Sequence, residues 1–102
     1  MTKEVNVQEF NAEYSSGLVL TDFYSKDCGP CKMLAFVLRD VEKLHPGLNI
    51  LKVDFDECKD LTEKYGVEGY PTLILFKDGA EVARMKGLQQ KPAIIRMIEE
   101  NA

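Results

Sequence analysis

Leu18-Val19-Leu20-Thr21-Asp22-Phe23-Tyr24, then Ser25-Lys26-Asp27, then Cys28-Gly29-Pro30-Cys31 running into Lys32-Met33-Leu34-Ala35-Phe36-Val37-Leu38, is the stretch that decides how this chain is read. The first segment is too uniformly apolar for an exposed strand and suits one covered on both faces. The last has the character of an amphipathic helix. Two thiols spaced Cys-x-x-Cys at a strand-to-helix junction have the geometry for a short-range disulfide that opens and closes. Cys28 stands where the unpaired N–H groups and dipole of a helix N-terminus favour an anion. A thiolate is the species that attacks disulfides, so this position turns an ordinary thiol into a nucleophile. Pro30 suits the first helical turn, where its missing N–H costs nothing. The chemistry of these residues points to thiol–disulfide exchange.

Outward from that stretch, length and composition set bounds. A chain of 102 residues is expected to form one domain, 1–102, with a single core. Apolar content of 45% and charged content of 29% are ordinary for a globular protein. A net charge of −4 and the lack of a basic stripe argue against nucleic acid or an anionic membrane as partner. No apolar stretch approaches the roughly 20 residues needed to span a bilayer. The first residues lack the apolar core of a signal peptide. Three cysteines do not form a disulfide scaffold, so a reducing cytoplasm is the expected compartment.

Strand and helix signals alternate along the chain. A short strand is expected over Lys3–Val7 and a helix over Gln8–Tyr14, closed by Ser15-Ser16-Gly17. The strand Leu18–Tyr24 leads to a long helix from about Cys31 to His45, stopped by Pro46-Gly47. Leu48–Phe55 reads as a second buried strand and Cys58–Tyr65 as a short helix capped by Gly66. Thr72–Lys77 and Glu81–Lys86 flank Lys77-Asp78-Gly79-Ala80, and Asp-Gly between apolar runs signals a hairpin. Pro92 opens a closing helix through Ala93–Ile98. The order β-α-β-α-β-α-β-β-α implies an α/β fold, a mixed central sheet with helices on both faces.

With these residues in view, the chain resembles the thioredoxin family. The match runs from Asp22-Phe23 through Cys28-Gly29-Pro30-Cys31-Lys32 and Met33 to Tyr65-Gly66-Val67, Tyr70-Pro71-Thr72, Phe76-Lys77-Asp78-Gly79 and Gly87. The resemblance implies the thioredoxin fold and protein-disulfide reduction, with Cys28 as attacking and Cys31 as resolving thiol. It implies that Pro71 is the family's cis-proline facing the disulfide, that Asp22 is the buried acid behind it, and that Lys52 lies near that acid. Substrate contact is expected from Gly29, Pro30, Tyr70, Pro71 and Gly87. The implied partners are a thioredoxin reductase and disulfide-containing proteins, acting on a monomer. No bound organic cofactor is implied, because the electrons reside in the Cys28–Cys31 pair.

The residues themselves support these roles unequally. Asp22 and Lys52 each interrupt an apolar strand, and a charge there must be paired, hydrogen-bonded or neutralised unless the strand simply ends in water. A buried acid of raised pKa could take the proton of Cys31. Pro71, taken alone, reads as an ordinary trans proline at a strand start, since few X–Pro bonds are cis. Cys-x-x-Cys is also half of a zinc site, but no second ligand pair accompanies it, and no metal is expected. His45 reads as a solvated helix-end residue, Cys58 as an inert, partly buried thiol, and Asp54-Phe55-Asp56-Glu57 as a solvated strand end.

Three departures from the family pattern bear on partner choice. Asp27 precedes the first cysteine where tryptophan is usual, and Tyr24 replaces another tryptophan, so the chain contains none. Phe36 stands where a proline typically kinks the helix. Asp27 is therefore the candidate partner-specificity residue. The alternative to a general disulfide reductase is a dedicated redox partner of one peroxidase or reductase.

Overall fold

Asn6 opens the first helix. Its side chain accepts the Glu9 N–H at 2.8 Å, and its own N–H donates to the Glu9 carboxylate at 3.0 Å. This reciprocal cap satisfies donors that a helix start otherwise leaves orphaned. Helix α1 accordingly spans Val7–Glu13, and the strand expected as far as Val7 is confined to β1, Thr2–Glu4. The remaining elements are β2 (Leu18–Tyr24), α2 (Gly29–Leu44), β3 (Asn49–Asp54), α3 (Lys59–Lys64), β4 (Thr72–Lys77), β5 (Ala80–Lys86) and α4 (Lys91–Asn101). The computed structural model describes residues 1–102, and the element order is the expected one.

The five strands form one sheet in the order β1-β3-β2-β4-β5. Strands β1 and β2 run parallel to β3, whereas β4 is antiparallel to β2 and to β5. The sheet is therefore mixed, with β2 at its centre. Because side chains alternate along a strand, β2 sends Val19 and Phe23 into a core with Phe10, Leu61 and Phe76. It sends Leu20 to the opposite face, into a core with Leu34, Leu38 and Ile94 from α2 and α4. Asp22 shares the parity of Leu20, which puts it on the face that α2 covers.

Two turns hold the hairpin in place. Asp78 and Gly79 both adopt positive φ, 50° and 86°, the combination that lets a two-residue turn follow the twist of its strands. A Cβ added to Gly79 would also crowd Ser15, at 3.3 Å. The Asp78 carboxylate accepts the Gly17 N–H at 3.0 Å, which ties the hairpin to the turn before β2. Gly66, with φ 62°, occupies the left-handed position just beyond α3 as expected of a cap. No helix is long and apolar enough to cross a membrane.

Asp54 departs from the solvated strand end expected of it. It is buried, and one carboxylate oxygen accepts the N–H groups of Asp56 and Glu57 at 2.9 and 3.2 Å. The local preference of Asp to bond backbone a few residues ahead builds this turn. Packing of the β3 end against the rest of the sheet then removes the residue from solvent.

Candidate active site

Cys28 is the N-cap of α2: its backbone is extended, and its Sγ accepts the Cys31 N–H at 3.1 Å. The helix thus starts at Gly29, earlier than the periodicity indicates, because the sulfur itself takes the place of a capping oxygen. Pro30 lies in the first turn. Cys28 and Cys31 are joined as a disulfide with Cα atoms 5.2 Å apart. Both sulfur residues are largely covered, 7% and 4% exposed, which leaves Cys28 only a small window to solvent. They pack with Tyr24 in a cluster of their own at the end of β2. A sulfur accepting a helix N–H is electrostatically the site for a thiolate.

Asp22 lies beneath this helix, fully buried. No protein group donates a hydrogen bond to either of its oxygens. Burial pushes its pKa from 3.8 up to about 7, against a smaller opposing pull from the Lys52 ammonium. An acid tuned to that range can exchange a proton near neutrality. Lys52 is its parallel-strand neighbour, since Asp22 and Lys52 are in register. The ammonium group is half-buried and stands 4.6 Å from the centre of the Tyr24 ring. A cavity of about 290 Å³ reaches Asp22 between Ala35, Leu38, Arg39, Glu42, Thr2 and Lys52. Arg39 and Glu42 escaped the reading of the sequence. Their spacing from Ala35, i+4 and i+7, is the signal that sets them on the helix face above the acid.

Tyr24 ties the end of β2 to β1 by donating its hydroxyl proton to Glu4. Burial, with the Glu4 carboxylate, keeps that phenol protonated well above its usual range. The Lys26 Nζ pairs with Glu57 at 2.9 Å and lies 3.7 Å from Asp54. Asp27 itself is exposed. His45 closes α2 as its C-cap, at the helix end as expected, and is half-buried. Cys58 is a free, buried thiol, and burial with Asp54 and Glu57 pushes its pKa up. No cluster of three or more His, Cys, Asp or Glu side chains is arranged to hold a metal ion.

The other candidates gather at the start of β4. The Tyr70–Pro71 bond is cis, in agreement with the family resemblance and against the trans reading of the residues alone. The Gly87 N–H donates to the Pro71 carbonyl at 2.8 Å. Both residues line a hollow of about 200 Å³ with Tyr70, Thr72 and Arg84. Tyr70 is exposed, its ring edge-on to Phe55 with centroids 5.2 Å apart. Because Thr72 pairs with Phe23, this hollow opens at the end of the sheet where β2 delivers the cysteines. None of its residues lines the groove beside Cys31.

A disulfide capping a helix above a buried acid, carried at the end of the central strand of a mixed sheet, makes this a thiol–disulfide oxidoreductase. Comparison with known proteins narrows the class. The family model described as Thioredoxin matches residues 1–100. The chain is 46% identical over 102 residues to a thioredoxin of Chlamydia caviae, covering 100% of both. It is 41% identical over 95 residues to a thioredoxin of Bacillus subtilis, covering 92% of this chain and 91% of that protein. Its fold is similar to a solved thioredoxin of Plasmodium falciparum with a TM-score of 0.88 and 33% identity, over 98% of this chain and 99% of that one. A mutant thioredoxin from Halobacterium salinarum matches with a TM-score of 0.86 and 37% identity, over 96% of this chain and 89% of that one. The chain belongs to the thioredoxin family and works by dithiol–disulfide exchange through Cys28 and Cys31.

Proposed function

We propose that this thioredoxin works in the reducing direction in a cytoplasm, as a protein-disulfide reductase that a thioredoxin reductase returns to the dithiol state. The observation that carries the reading is the Cys28 sulfur at the α2 N-terminus with the unpaired Asp22 carboxyl buried below. Cys28 thiolate attacks one sulfur of a target disulfide; a new S–S bond forms and the target's other sulfur leaves as a thiolate. Asp22 takes the Cys31 proton, and Cys31 attacks the Cys28 sulfur. The mixed disulfide breaks, releasing the second target thiolate. Two electrons pass to the target and the Cys28–Cys31 bond closes. Lys52 positions the charge balance around Asp22. No bound cofactor takes part. Tyr70, Pro71 and Gly87, with Gly29 and Pro30, receive an extended target segment, whose backbone pairs beside Tyr70 as an added strand.

Reduction of insulin disulfides by the dithiol form tests this. The wild type is expected to turn over with a reductase, Cys28→Ser to be inactive, and Cys31→Ser to accumulate mixed disulfides. Failure of the wild type to reduce insulin or any other protein disulfide would overturn the reading. A second reading, a dedicated partner of one peroxidase or reductase, is favoured by the exposed carboxylate of Asp27 where an apolar platform would suit many partners. Proteins trapped on Cys31→Ser separate the two: one dominant adduct for the dedicated carrier, many for the general reductase.

A further inference from the structure

A groove of about 430 Å³ runs beside Cys31, and its charge is of one sign. Lys26, Lys32, Arg39 and Lys52 line it with no carboxylate among them. A second hollow, between the start of α1 and the β3–α3 turn, is the reverse: Glu4, Glu9, Asp54 and Glu57 line it with no cation. Lys26 sits on the boundary, tied to Glu57 and Asp54, and Lys52 faces Asp22 and the Tyr24 ring. Lys32 and Arg39 have no carboxylate within ion-pair distance. They stand unpaired on a chain whose net charge is −4.

These two cations and Phe36 form one stripe. Residues 32, 36 and 39 recur at i, i+4 and i+7 and share a helix face. Phe36 is 64% exposed, and the Arg39 guanidinium lies over its ring, 5.2 Å from the centroid. Seven residues of helix extend about 10 Å, the reach of roughly three residues of extended peptide. An apolar shelf flanked by free cations, starting one residue beyond Cys31, complements a segment bearing carboxylates.

We infer that this groove receives the acidic flank of a disulfide-bearing partner segment, with carboxylates two to four residues from the half-cystine that Cys28 attacks. The inference rests on the exchange reaction proposed above and names which targets it prefers. Opposite charge at such a rim acts chiefly by raising the rate of productive encounter, and salt weakens it.

Six synthetic peptides test it, each bearing one cysteine disulfide-linked to mercaptoethanol. Asp, Asn or Lys occupies the three positions on one side of the half-cystine, then on the other. Single-turnover rates with the reduced protein are divided by each peptide's rate with dithiothreitol, which removes the intrinsic effect of the flank on its own disulfide. The Asp peptide is expected to exceed the Asn peptide about fivefold at low ionic strength and less than twofold near 0.3 M salt. Lys32→Glu combined with Arg39→Glu should invert the order in favour of Lys. Lys32→Gln with Arg39→Gln should abolish the preference, and serves if the reversed variant does not fold. Equal normalised rates, or an Asp preference that survives both variants, would overturn the groove's role and leave the exchange chemistry standing. Failure to reduce even the Asn peptide would overturn the proposed function and the groove inference with it.

Discussion

Replacing Asp22 with asparagine should make the protein's stability less dependent on pH, and the size of the effect follows from where the carboxyl sits. Burial raises its pKa from 3.8 to about 7. Between those values the folded state holds a proton that the unfolded chain has released. The native state therefore binds more protons, and stability falls as pH rises through this window. The gap is about three powers of ten in proton affinity, each about 1.36 kcal/mol, giving a loss of about 4 kcal/mol from pH 4 to above 7. The contribution is fully present below pH 4, and its loss is complete above the folded pKa. A carboxamide cannot ionise, so the Asp22→Asn variant lacks this slope whatever its amide costs in the pocket. Urea unfolding of both proteins at intervals from pH 4 to 9 isolates the effect, because other titrating groups cancel in the difference. The variant should gain about 4 kcal/mol relative to wild type across the range. A difference that stays level within about 0.5 kcal/mol would show that Asp22 does not titrate in this window and would refute the reasoning.

In the reduced protein, Cys28 should be alkylated by iodoacetamide near neutral pH well ahead of Cys31 and Cys58. Its sulfur alone accepts a helix N–H, since Cys58 stands at the start of α3 without such a bond, and burial and nearby carboxylates hold Cys58 protonated; peptide mass spectrometry reads the order, and early labelling of either other cysteine would overturn it. Asp27→Trp should alter the Cys28 alkylation rate by less than about tenfold, since an exposed charge acts mostly through water. The same change should widen the range of usable reductases and substrates, and equal kcat/KM for both proteins with a nicotinamide-dependent and with the native reductase would count against a recognition role. Leu34→Ala, which empties a fully buried position under α2, should cost about 3 kcal/mol in urea unfolding. A loss below about 1 kcal/mol would mean that the helix repacks onto the sheet without Leu34.

What is legible in the sequence depends on contacts made within a few residues. Continuous apolar runs, the Asp78-Gly79 turn, the Gly66 cap and the Cys-x-x-Cys at a helix start act through neighbours along the chain. They set the element order and the thiol chemistry without help from distant segments. The start of α1, a residue earlier than its periodicity indicates, is local too: the Asn6–Glu9 cap decides it against the strand pattern of Lys3–Val7. The cis bond before Pro71 is legible only through resemblance, because the residues themselves favour trans. The sheet order places β3 between β1 and β2, and from that crossover comes what no local pattern encodes. It sets Lys52 beside Asp22 and Glu4 against the Tyr24 hydroxyl. It also brings Lys26 to Glu57, 31 residues away, and seals Asp54 and the cysteines from solvent. Pairings of that kind fix charge and burial together. A charge's worth depends on what surrounds it in space, so the proton affinity of Asp22 and the free cations beside Cys31 belong to the tertiary structure.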